Sequence, residues 1–332
     1  MTRFGVFFCL LTAAVLAGLW INQYLSTPLQ TPGEERIVSI PRGHSFARIA
    51  ADLEEQGIID NALLFRLLGR ITRSASSAQA GEFLINTGWT RLKLLDTLIH
   101  GHEVLYPVQI PEGSTWWETA NIVHRSGLTT FERFAAAVHN ATLLEEYNIP
   151  AQSAEGYLFP ETYALPRPQA GSALPVIRAM LDEFERQTGS RLRAEALPSS
   201  QSRHELVILA SIVEKETAQA GERARIAGVV ENRLTRGMRL QCDPTVIYGL
   251  GPDFDGNLTR KDLQDSANPY NTYRHSGLPP GPICSPGLAS LEAALEPEDH
   301  RFLYFVATGE GGHHFSRTLR EHNRAVRTYL LQ

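Results

Sequence analysis

The hydrophobic pattern of the chain begins with one long uninterrupted run. Residues 4–21 read FGVFFCLLTAAVLAGLWI and carry no charge. At a rise of about 1.5 Å per residue, a helix of this length nearly crosses a hydrocarbon core of about 30 Å. Trp20 and Tyr24 stand at its far end, where aromatic side chains anchor membrane helices at the interface. The pattern predicts a transmembrane anchor over residues 4–24.

The charge that flanks this run predicts how the anchor is oriented. Arg3 and the amino terminus precede it, so the positive-inside rule places residues 1–3 in the cytoplasm and everything after the run outside it. A cleaved signal peptide is the alternative, although Gly-Leu-Trp-Ile at residues 18–21 is a poor cleavage site. Both interpretations deliver the chain to an extracytoplasmic space. Residues 25–36, which contain two prolines, read as a linker.

Two later segments, residues 37–58 and 107–128, repeat one pattern at an offset of 70 residues. Their identical positions are Val38/Val108, Ile40/Ile110, Pro41/Pro111, Gly43/Gly113, Ala50/Ala120 and Gly57/Gly127. Each copy predicts a short alternating strand, a Pro-x-Gly turn and a helix that Ser45 or Thr115 caps. Between the copies, helices are expected at about Ala62–Leu68 and at Arg91–Ile99, with a strand at Gly81–Asn86. Residues 37–130 are therefore predicted to form a small duplicated α+β module.

The remaining residues, 131–332, are predicted to form a larger α+β domain. Helical periodicity marks six segments: Phe131–Tyr147, Leu174–Gln187, His204–Thr217, Gly221–Arg236, Leu288–Leu295 and Leu319–Leu330. A strand is expected at Phe302–Thr308. Between residues 238 and 287 the pattern changes to loops rich in Pro, Gly and Asn. The fold class predicted for the whole chain is therefore α+β.

One carboxylate falls on an otherwise apolar helix face. On a wheel of about 100° per residue that starts at Leu206, Glu216 falls at about 280°, between Ile212 and Leu209. Glu214 falls nearer the edge of the apolar arc. Burial without a partner raises the pKa of a carboxyl group, and an acid still protonated near neutral pH can act as a general acid. A salt bridge to Arg223, Arg225 or Arg233, which are close in sequence, is the alternative for Glu216.

Composition excludes several classes of function. The 332 residues carry 31 Lys and Arg against 36 Asp and Glu, and this net charge of −5 gives no electrostatic support to nucleic-acid binding. Hydrophobic residues at 43% and charged residues at 20% are typical of a globular chain. No H-E-x-x-H, C-x-x-C or G-x-S-x-G motif is present. The sequence therefore predicts neither a metal site nor a serine hydrolase.

Several short motifs follow one another in the second half of the chain. They are ASIVEKET (210–217), ENRL (231–234), GMRLQ-x-DPTVIYG (237–249), YNTY (270–273), GLPPGPI-x-SPG (277–287), YFVA-x-G (304–309) and GGH-x-F (311–315). This ordered set resembles the YceG-like endolytic murein transglycosylase (MltG) family. EGYLFPETY at residues 155–163 and the N-terminal run also fit. Any one motif alone is a weak signal, whereas the set in this order is specific.

The resemblance implies an architecture: a single-pass protein of the inner membrane, with a LysM-like module and a catalytic domain that face the periplasm. It also implies an activity, in which MurNAc–GlcNAc bonds of nascent glycan strands are cleaved to 1,6-anhydroMurNAc ends and strand elongation is terminated. The second Glu of EKET, Glu216, corresponds to the catalytic acid of the family. No cofactor is implied. The implied partners are peptidoglycan strands, the membrane, and glycan polymerases or transpeptidases, but no nucleic acid.

The loops around this acid have the composition of a sugar groove, because tyrosine rings stack on pyranose faces and polar groups bond hydroxyl or acetamido groups. The candidate substrate-binding residues are Gln241, Asp243, Thr245, Tyr248, Tyr270, Asn271, Tyr273 and His313. Each has a structural alternative: Asp243 as a turn residue before proline, any tyrosine as a core residue, and His313 as a packed histidine.

Three further questions stay open at the level of sequence. Cys242 and Cys284 flank the proposed groove, either as a disulfide or as two free thiols. Of the adjacent Trp116 and Trp117, at most one faces the buried side of its helix, so the other could stack on glycan. The module of residues 37–130 therefore either binds glycan or acts as a spacer that positions the catalytic domain. A non-catalytic peptidoglycan-binding scaffold is the alternative function, but a scaffold has no use for Glu216 on an apolar face.

Overall fold

The computed structural model describes residues 3–192, 202–217, 219–309 and 311–330. It divides the chain into two compact units. The first unit comprises residues 1–106 and 165–170, and the second comprises residues 107–164 and 171–332. Within the described ranges the secondary structure consists of α-helices, two short 3₁₀ helices and three two-stranded sheets, which agrees with the predicted α+β class.

Helix α1, Arg3–Ser26, covers the hydrophobic run at the start of the chain, so the helix predicted there is confirmed. Its membrane insertion is not supported: in the described part of the chain, no helix has the length and apolar character needed to span a bilayer. Residues 1 and 2 of the predicted cytoplasmic segment lie outside the described residues.

The first copy of the repeat folds as strand, helix, helix and strand. Its elements are β1 Glu35–Ile40, α2 Phe46–Glu55, α3 Ala62–Ile71 and β2 Gly81–Asn86, and they are followed by α4 Arg91–His100. The two strands are antiparallel, with Val38 opposite Phe83. Both side chains are buried, because alternate positions of each strand face the helices. This arrangement gives the first unit its hydrophobic core.

The second copy follows the same order of elements, with one additional helix before its closing strand. They are β3 Leu105–Gln109, α5 Trp116–Arg125, α6 Phe131–Val138, α7 Ala141–Glu146 and β4 Thr162–Pro166, and β3 pairs with β4. Ser45 and Thr115 cap the first helix of each copy, and each hydroxyl accepts a backbone N–H at 3.3 Å. The Pro-x-Gly turns need glycine, since φ is 80° at Gly43 and 75° at Gly113.

The unit boundary therefore differs from the predicted one. The module expected over residues 37–130 is not one compact unit, because its first copy lies in the first unit and most of its second copy in the second. Backbone pairing holds the second copy in place: the Gly113 N–H donates to the Ser285 carbonyl at 2.9 Å, and the Ser285 N–H to the Ser114 carbonyl at 2.8 Å. The single helix predicted at Phe131–Tyr147 is two helices, α6 and α7.

The remainder of the second unit is mainly helical. Its elements are α8 Leu174–Thr188, α9 Arg203–Glu216, α10 Arg223–Thr235, α11 Asp243–Leu250, α12 Arg260–Gln264, α13 Leu288–Leu295, β5 Tyr304–Ala307, β6 His313–Ser316 and α14 Leu319–Tyr329. Helix α9 packs against α10, α11 and α13. Strands β5 and β6 form an antiparallel hairpin in which Ala307 is opposite His313. The sequence did not predict α11 and α12, whose 8 and 5 residues are too short to show a helical period.

Candidate active site

Helix α9 carries the proposed acid at its C-terminal end. A capping box begins the helix: Ser202 Oγ accepts the Glu205 N–H at 3.2 Å, and the Glu205 carboxylate accepts the Ser202 N–H at 2.8 Å. Every residue from Leu206 to Val213 is buried, because three helices pack around α9. The helix ends at Glu216, whose side chain lies in the wall of a cavity. The helix thus delivers one carboxyl group from an apolar interior to a solvent-filled space.

The surroundings of Glu216 favour its protonated form. Burial raises the pKa of the carboxyl group above its ordinary value, and the negative charge of Asp243 raises it further. A hydrogen bond from the Cys242 thiol and the positive charges of His313 and Arg233 lower the pKa. Burial is the largest of these effects, so the net direction is upward.

The arginines near Glu216 in sequence are engaged elsewhere. Arg223 lies 3.9 Å from Glu214, Arg225 pairs with Glu298 at 3.1 Å, and Arg233 donates to the Leu303 carbonyl at 2.7 Å. Within the described parts of the chain, no salt bridge shorter than 4 Å reaches Glu216. Glu214 has a structural role, since its carboxylate accepts the Gly287 N–H at 3.0 Å at the start of α13. The salt-bridge alternative therefore describes Glu214 and not Glu216.

The cavity at Glu216 has a volume of about 450 Å³. Its walls come from α9, α10, the chain around the start of α11, strand β5 and helix α14. The polar and aromatic lining residues are Glu216, Arg233, Gln241, Cys242, Asp243, Tyr273, Tyr304, Phe305 and His322. This mixture of apolar walls and a few convergent polar groups is typical of a ligand site.

Asp243 and Tyr273, both predicted, meet in this cavity. The Tyr273 hydroxyl donates to Oδ1 of Asp243 at 2.6 Å. Burial and this carboxylate raise the pKa of Tyr273, so the phenol remains a donor. Asp243 is the first residue of α11, where the helix dipole favours a negative charge.

Gln241 also lines the cavity, in a left-handed backbone conformation with φ of 54°. Its N–H donates to the Thr272 carbonyl at 3.2 Å, which holds the turn, while its side chain is exposed. A non-glycine residue in this conformation is uncommon. The turn thereby presents the Gln241 amide at the edge of the cavity.

His313 is held beside the site without lining the cavity. Its Nδ1 lies 2.7 Å from Oε2 of Glu222, and its backbone N–H donates to Oε1 of the same carboxylate at 2.9 Å. The ring packs edge-on against Phe305. These two hydrogen bonds and the hairpin together fix the position of the imidazole, whose electrostatic interaction with Glu216 lowers the pKa of that carboxyl group.

Two predicted substrate contacts are corrected by the structure. Thr245 is fully buried, and its hydroxyl donates to the Cys242 carbonyl at 2.7 Å. Asn271 is also fully buried: its amide donates to the carbonyls of Asp262 and Asp265, and its Oδ1 accepts the Tyr273 N–H at 3.0 Å. Because their polar groups are used inside the protein, both side chains hold loops together and do not face the cavity.

Tyr248 and Tyr270 lie in a different cluster from Glu216. Their ring centroids are 4.8 Å apart, and the Trp117 ring lies 4.9 Å from that of Tyr248. A hydrogen bond joins the Tyr248 hydroxyl to Glu155, a buried carboxyl that also accepts the Trp116 N–H at 3.0 Å. Burial raises the pKa of Glu155 to about 8.

Several residues of the site were not predicted from the sequence. Arg233 was considered only as a salt-bridge partner, but it lines the cavity and its guanidinium lies 5.2 Å from the Tyr304 ring centroid. His322 stacks on the same tyrosine from α14. Arg233 stands in the ENRL motif, which was a signal, whereas nothing in the sequence around His322 marked it.

Cys242 and Cys284 are free and buried, so the structure has two thiols and no bridge between them. Cys284 Sγ lies 3.4 Å from the Ser211 carbonyl on α9. Burial raises the pKa of the Cys242 thiol well above its ordinary value, and the Glu216 charge adds to this effect. Cys242 is therefore a protonated donor next to the acid.

The arrangement is suited to proton transfer by one carboxyl group. Glu216 is the acid, Asp243 and Tyr273 form a hydrogen-bonded pair beside it, and Cys242 lines the same cavity. Within the described ranges, no three His, Cys, Asp or Glu side chains are grouped so that they could hold a metal ion.

Comparison with known proteins places the chain in a family. The family model described as YceG-like matches residues 38–328. The chain belongs to the YceG-like family, as the ordered motifs indicated.

Curated relatives and a solved structure are similar over most of the chain. A Bacillus subtilis protein named endolytic murein transglycosylase is 32% identical, over 88% of this chain and 84% of its own. A protein of the same name from Streptococcus pneumoniae strain D39 is 29% identical. The match covers 98% of this chain and 64% of the length of that relative. A 2.6 Å crystal structure of a putative yceG-like protein from Listeria monocytogenes matches with a TM-score of 0.60 and 32% sequence identity. The match covers 88% of this chain and 99% of the Listeria chain.

Proposed function

We propose that this protein is a lytic transglycosylase that cleaves peptidoglycan glycan strands, with Glu216 as its catalytic acid and base. The observation that carries the proposal is the position of Glu216, a carboxyl group with a raised pKa in the wall of a cavity. Membership in the YceG-like family and relatives named endolytic murein transglycosylase support the choice of substrate.

One carboxyl group is sufficient for this reaction. Protonated Glu216 gives its proton to the glycosidic oxygen of a MurNAc–GlcNAc bond as the bond to C1 of MurNAc breaks. The resulting carboxylate takes the proton of the C6 hydroxyl of the same MurNAc, whose oxygen attacks C1. The product is a 1,6-anhydroMurNAc end, Glu216 is protonated again, and no water is consumed. A hydrolase would instead need a second carboxylate about 5–9.5 Å away to act as nucleophile or to activate water.

The neighbouring groups have supporting roles in this proposal. The Asp243 charge adds to the raised pKa of Glu216 and also favours the cationic transition state at C1. Tyr273 holds Asp243 in place through their hydrogen bond. Gln241 at the cavity edge can donate to a sugar hydroxyl or acetamido group.

The setting of the reaction belongs to the proposal as well. Internal cleavage is supported by the names of the relatives. Action on nascent strands, which would terminate their elongation, stays a prediction from the resemblance. Attachment to the inner membrane through residues 4–24, with the catalytic unit in the periplasm, is supported by the uncharged run and by exposed apolar side chains of α1. These are Phe8, Leu11, Val15, Leu16, Leu19, Trp20 and Ile21. Retention of the full-length chain in carbonate-washed membranes tests the attachment.

The first unit has a supporting function in the proposal. Its strand–helix–helix–strand order with antiparallel strands is consistent with a LysM-like module that binds or positions glycan. Association with glycan polymerases or transpeptidases stays a prediction from the resemblance.

Product analysis tests the activity directly. Purified protein is incubated with peptidoglycan, and the products are analysed by mass spectrometry for 1,6-anhydro ends. Wild-type protein is expected to form them, and Glu216→Gln to lose at least about 100-fold in rate, because general acid–base catalysis contributes about 10²–10⁴-fold. Glu214→Gln is the matched control: it removes the same charge two residues away and is expected to stay active.

Each contrary outcome has its own meaning. Reducing ends in place of anhydro ends would make the protein a hydrolase. Equal activity of wild-type and Glu216→Gln would refute Glu216 as the catalyst. Glycan binding without any cleavage by the wild type would favour the non-catalytic scaffold.

A further inference from the structure

A second cavity, of about 420 Å³, lies in the second unit next to the one that contains Glu216. Helix α5 of the second repeat copy provides Trp117 on one wall, and α11 and the chain after it provide Tyr248 and Phe254. Pro244 lines both cavities. Because that proline directly follows Asp243, a linear ligand that passes Asp243 and continues along Pro244 enters the second cavity.

The aromatic wall of this second cavity is fixed by contacts among its rings and by a buried carboxyl group behind them. The Trp117 and Tyr248 rings lie at 31° to each other, and Tyr248 packs on Tyr270 behind it. The Tyr248 hydroxyl is bonded to Glu155, whose position is fixed by the backbone N–H groups of Trp116 and Gly156, at 3.0 and 3.2 Å. A preorganised wall reduces the entropy cost of binding, so it is a favourable surface for a ligand.

The edge of the second cavity is polar and carries both signs of charge. Lys215, exposed and adjacent to Glu216 in α9, donates from Nζ to the Gly113 carbonyl at 2.9 Å. Glu118 is exposed, and its carboxylate accepts the Thr115 N–H at 2.8 Å. The ammonium group has further donor capacity and the carboxylate further acceptor capacity. Apolar walls with donors and acceptors at the edge match a pyranose, whose faces carry C–H groups and whose perimeter carries hydroxyl groups.

We propose that this second cavity is a glycan subsite, which binds an N-acetylated sugar of the same strand on one side of the bond cleaved at Glu216. The inference rests on the proposed function and adds to it the residues that hold the strand away from the reacting bond. A pyranose face packs on the Trp117 ring, and the acetamido methyl group contacts the apolar wall that Ile247 and Ile283 provide. A strand that fills both cavities is bound more tightly than one that fills only the first.

Binding of peptide-free glycan strands of increasing length tests the subsite. The measurement is made by calorimetry in the Glu216→Gln background, so that no cleavage occurs. Affinity is expected to rise with strand length and then level off. Trp117→Ala is expected to weaken the affinity for long strands by at least about tenfold, which corresponds to about 1.4 kcal/mol. Phe254→Ala is a second test from the other wall, in a partly exposed loop where folding is least affected.

Trp116→Ala is the matched control. It removes the same type of side chain from the same helix, and that ring packs on Phe131 and His139, meets the Trp117 ring edge-on at 5.6 Å, and does not line the cavity. It is expected to lower thermal stability and to keep the wild-type length dependence. Unchanged length dependence in both Trp117→Ala and Phe254→Ala overturns the subsite. Loss of affinity confined to peptide-bearing strands also overturns it, because the cavity then binds the stem peptide.

The two proposals fail separately. If Glu216→Gln still cleaves peptidoglycan, the catalytic proposal is wrong, and binding is then measured under conditions without turnover. If Glu216→Gln is inactive while Trp117→Ala cleaves long strands with the kcat/KM of the wild type, the catalytic proposal stands and the subsite is wrong.

Discussion

The Tyr273 hydroxyl lies 2.6 Å from Oδ1 of Asp243, and the Asp243 carboxylate in turn raises the pKa of Glu216. Tyr273 therefore holds the Asp243 carboxylate in place, and the charge of that carboxylate adds to the effect of burial in raising the pKa of Glu216. The two residues control the acid without any contact between Tyr273 and Glu216 being required.

Removal of the Asp243 charge is expected to make Glu216 a stronger acid. In Asp243→Asn the repulsion that disfavours the Glu216 carboxylate is lost, so the pKa of Glu216 falls. Glu216 then loses its proton at a lower pH, so the alkaline limb of the profile of kcat/KM against pH moves to lower pH. A pH–rate profile of glycan cleavage measures this shift.

Asp253→Asn is the control for this experiment, because Asp253 is an exposed residue of the loop after α11 and the substitution removes the same charge. It is expected to keep the wild-type profile. An alkaline limb that stays in place in Asp243→Asn would show that the Asp243 charge does not act on the catalytic acid.

The opposite shift is expected when the thiol beside the acid is removed. The Cys242 thiol donates a hydrogen bond that lowers the pKa of Glu216. In Cys242→Ala this bond is lost, the pKa of Glu216 rises, and the alkaline limb of kcat/KM moves to higher pH. Cys242→Ser keeps a donor and is expected to lie near the wild type. Cys284→Ala, which removes a buried thiol from another position, serves as control. A shift of the limb to lower pH in Cys242→Ala would contradict the assignment.

The sequence predicted local structure better than domain boundaries. The strand at Gly81–Asn86 and the helix at Leu288–Leu295 are confirmed with the same bounds, because turn and capping residues mark both ends of such elements. The boundary near residue 130 could not be predicted, since the identical residues of the repeat end at Gly127. Strand β4, which closes the second copy, shares no sequence signal with β2.

The site was predicted unevenly, for a physical reason. Glu216 could be predicted because the helical period places its carboxylate among the apolar residues of one helix face. Thr245 and Asn271 have the same hydroxyl and amide groups as sugar-binding residues. Only the fold shows that these groups donate to backbone carbonyls inside the protein. Glu155 follows no periodic pattern. Its burial depends on a helix that begins 39 residues earlier, at Trp116.

The packing of the first repeat copy predicts an unfavourable Gly69→Ala substitution. A Cβ atom at Gly69 in α3 would lie 2.7 Å from Cζ of Phe46 and closer still to its Cε1. Alanine favours a helix by about 1 kcal/mol over glycine, but overpacking costs about 1–3 kcal/mol. The Phe46 ring cannot move away freely, because it stacks on Phe65 at 5.6 Å. A net loss of up to about 2 kcal/mol in the free energy of unfolding is expected, and chemical denaturation measures it.

Gly221→Ala is the control for this loss of stability, because a Cβ there meets no atom within 4 Å. It is expected to leave the free energy of unfolding within about 0.5 kcal/mol of the wild type. An equally stable Gly69→Ala variant would mean that Phe46 can repack.

Burial of Glu155 is expected to make stability depend on pH. Its pKa is raised from 4.5 to about 8, mainly by burial and also by the charge of Glu118, while bonds from Trp116, Gly156 and Tyr248 lower it. The folded protein therefore holds a proton that the unfolded chain releases above pH 4.5. The contribution of this proton to the free energy of unfolding is fully present below pH 4.5. It is lost as the pH rises towards about 8, by at most about 1.4 kcal/mol per pH unit.

Glu155→Gln separates this effect from the rest of the titration. Glutamine is neutral at every pH, so the part of the pH dependence that comes from position 155 disappears. Near pH 5 the variant is expected to be less stable than the wild type by about 1 kcal/mol, because the amide cannot replace every hydrogen bond of the acid. This deficit should shrink and then reverse between pH 6 and about 8, where the wild type must ionise a buried group. Urea denaturation of both proteins at a series of pH values measures the difference, and parallel curves would show that Glu155 titrates normally.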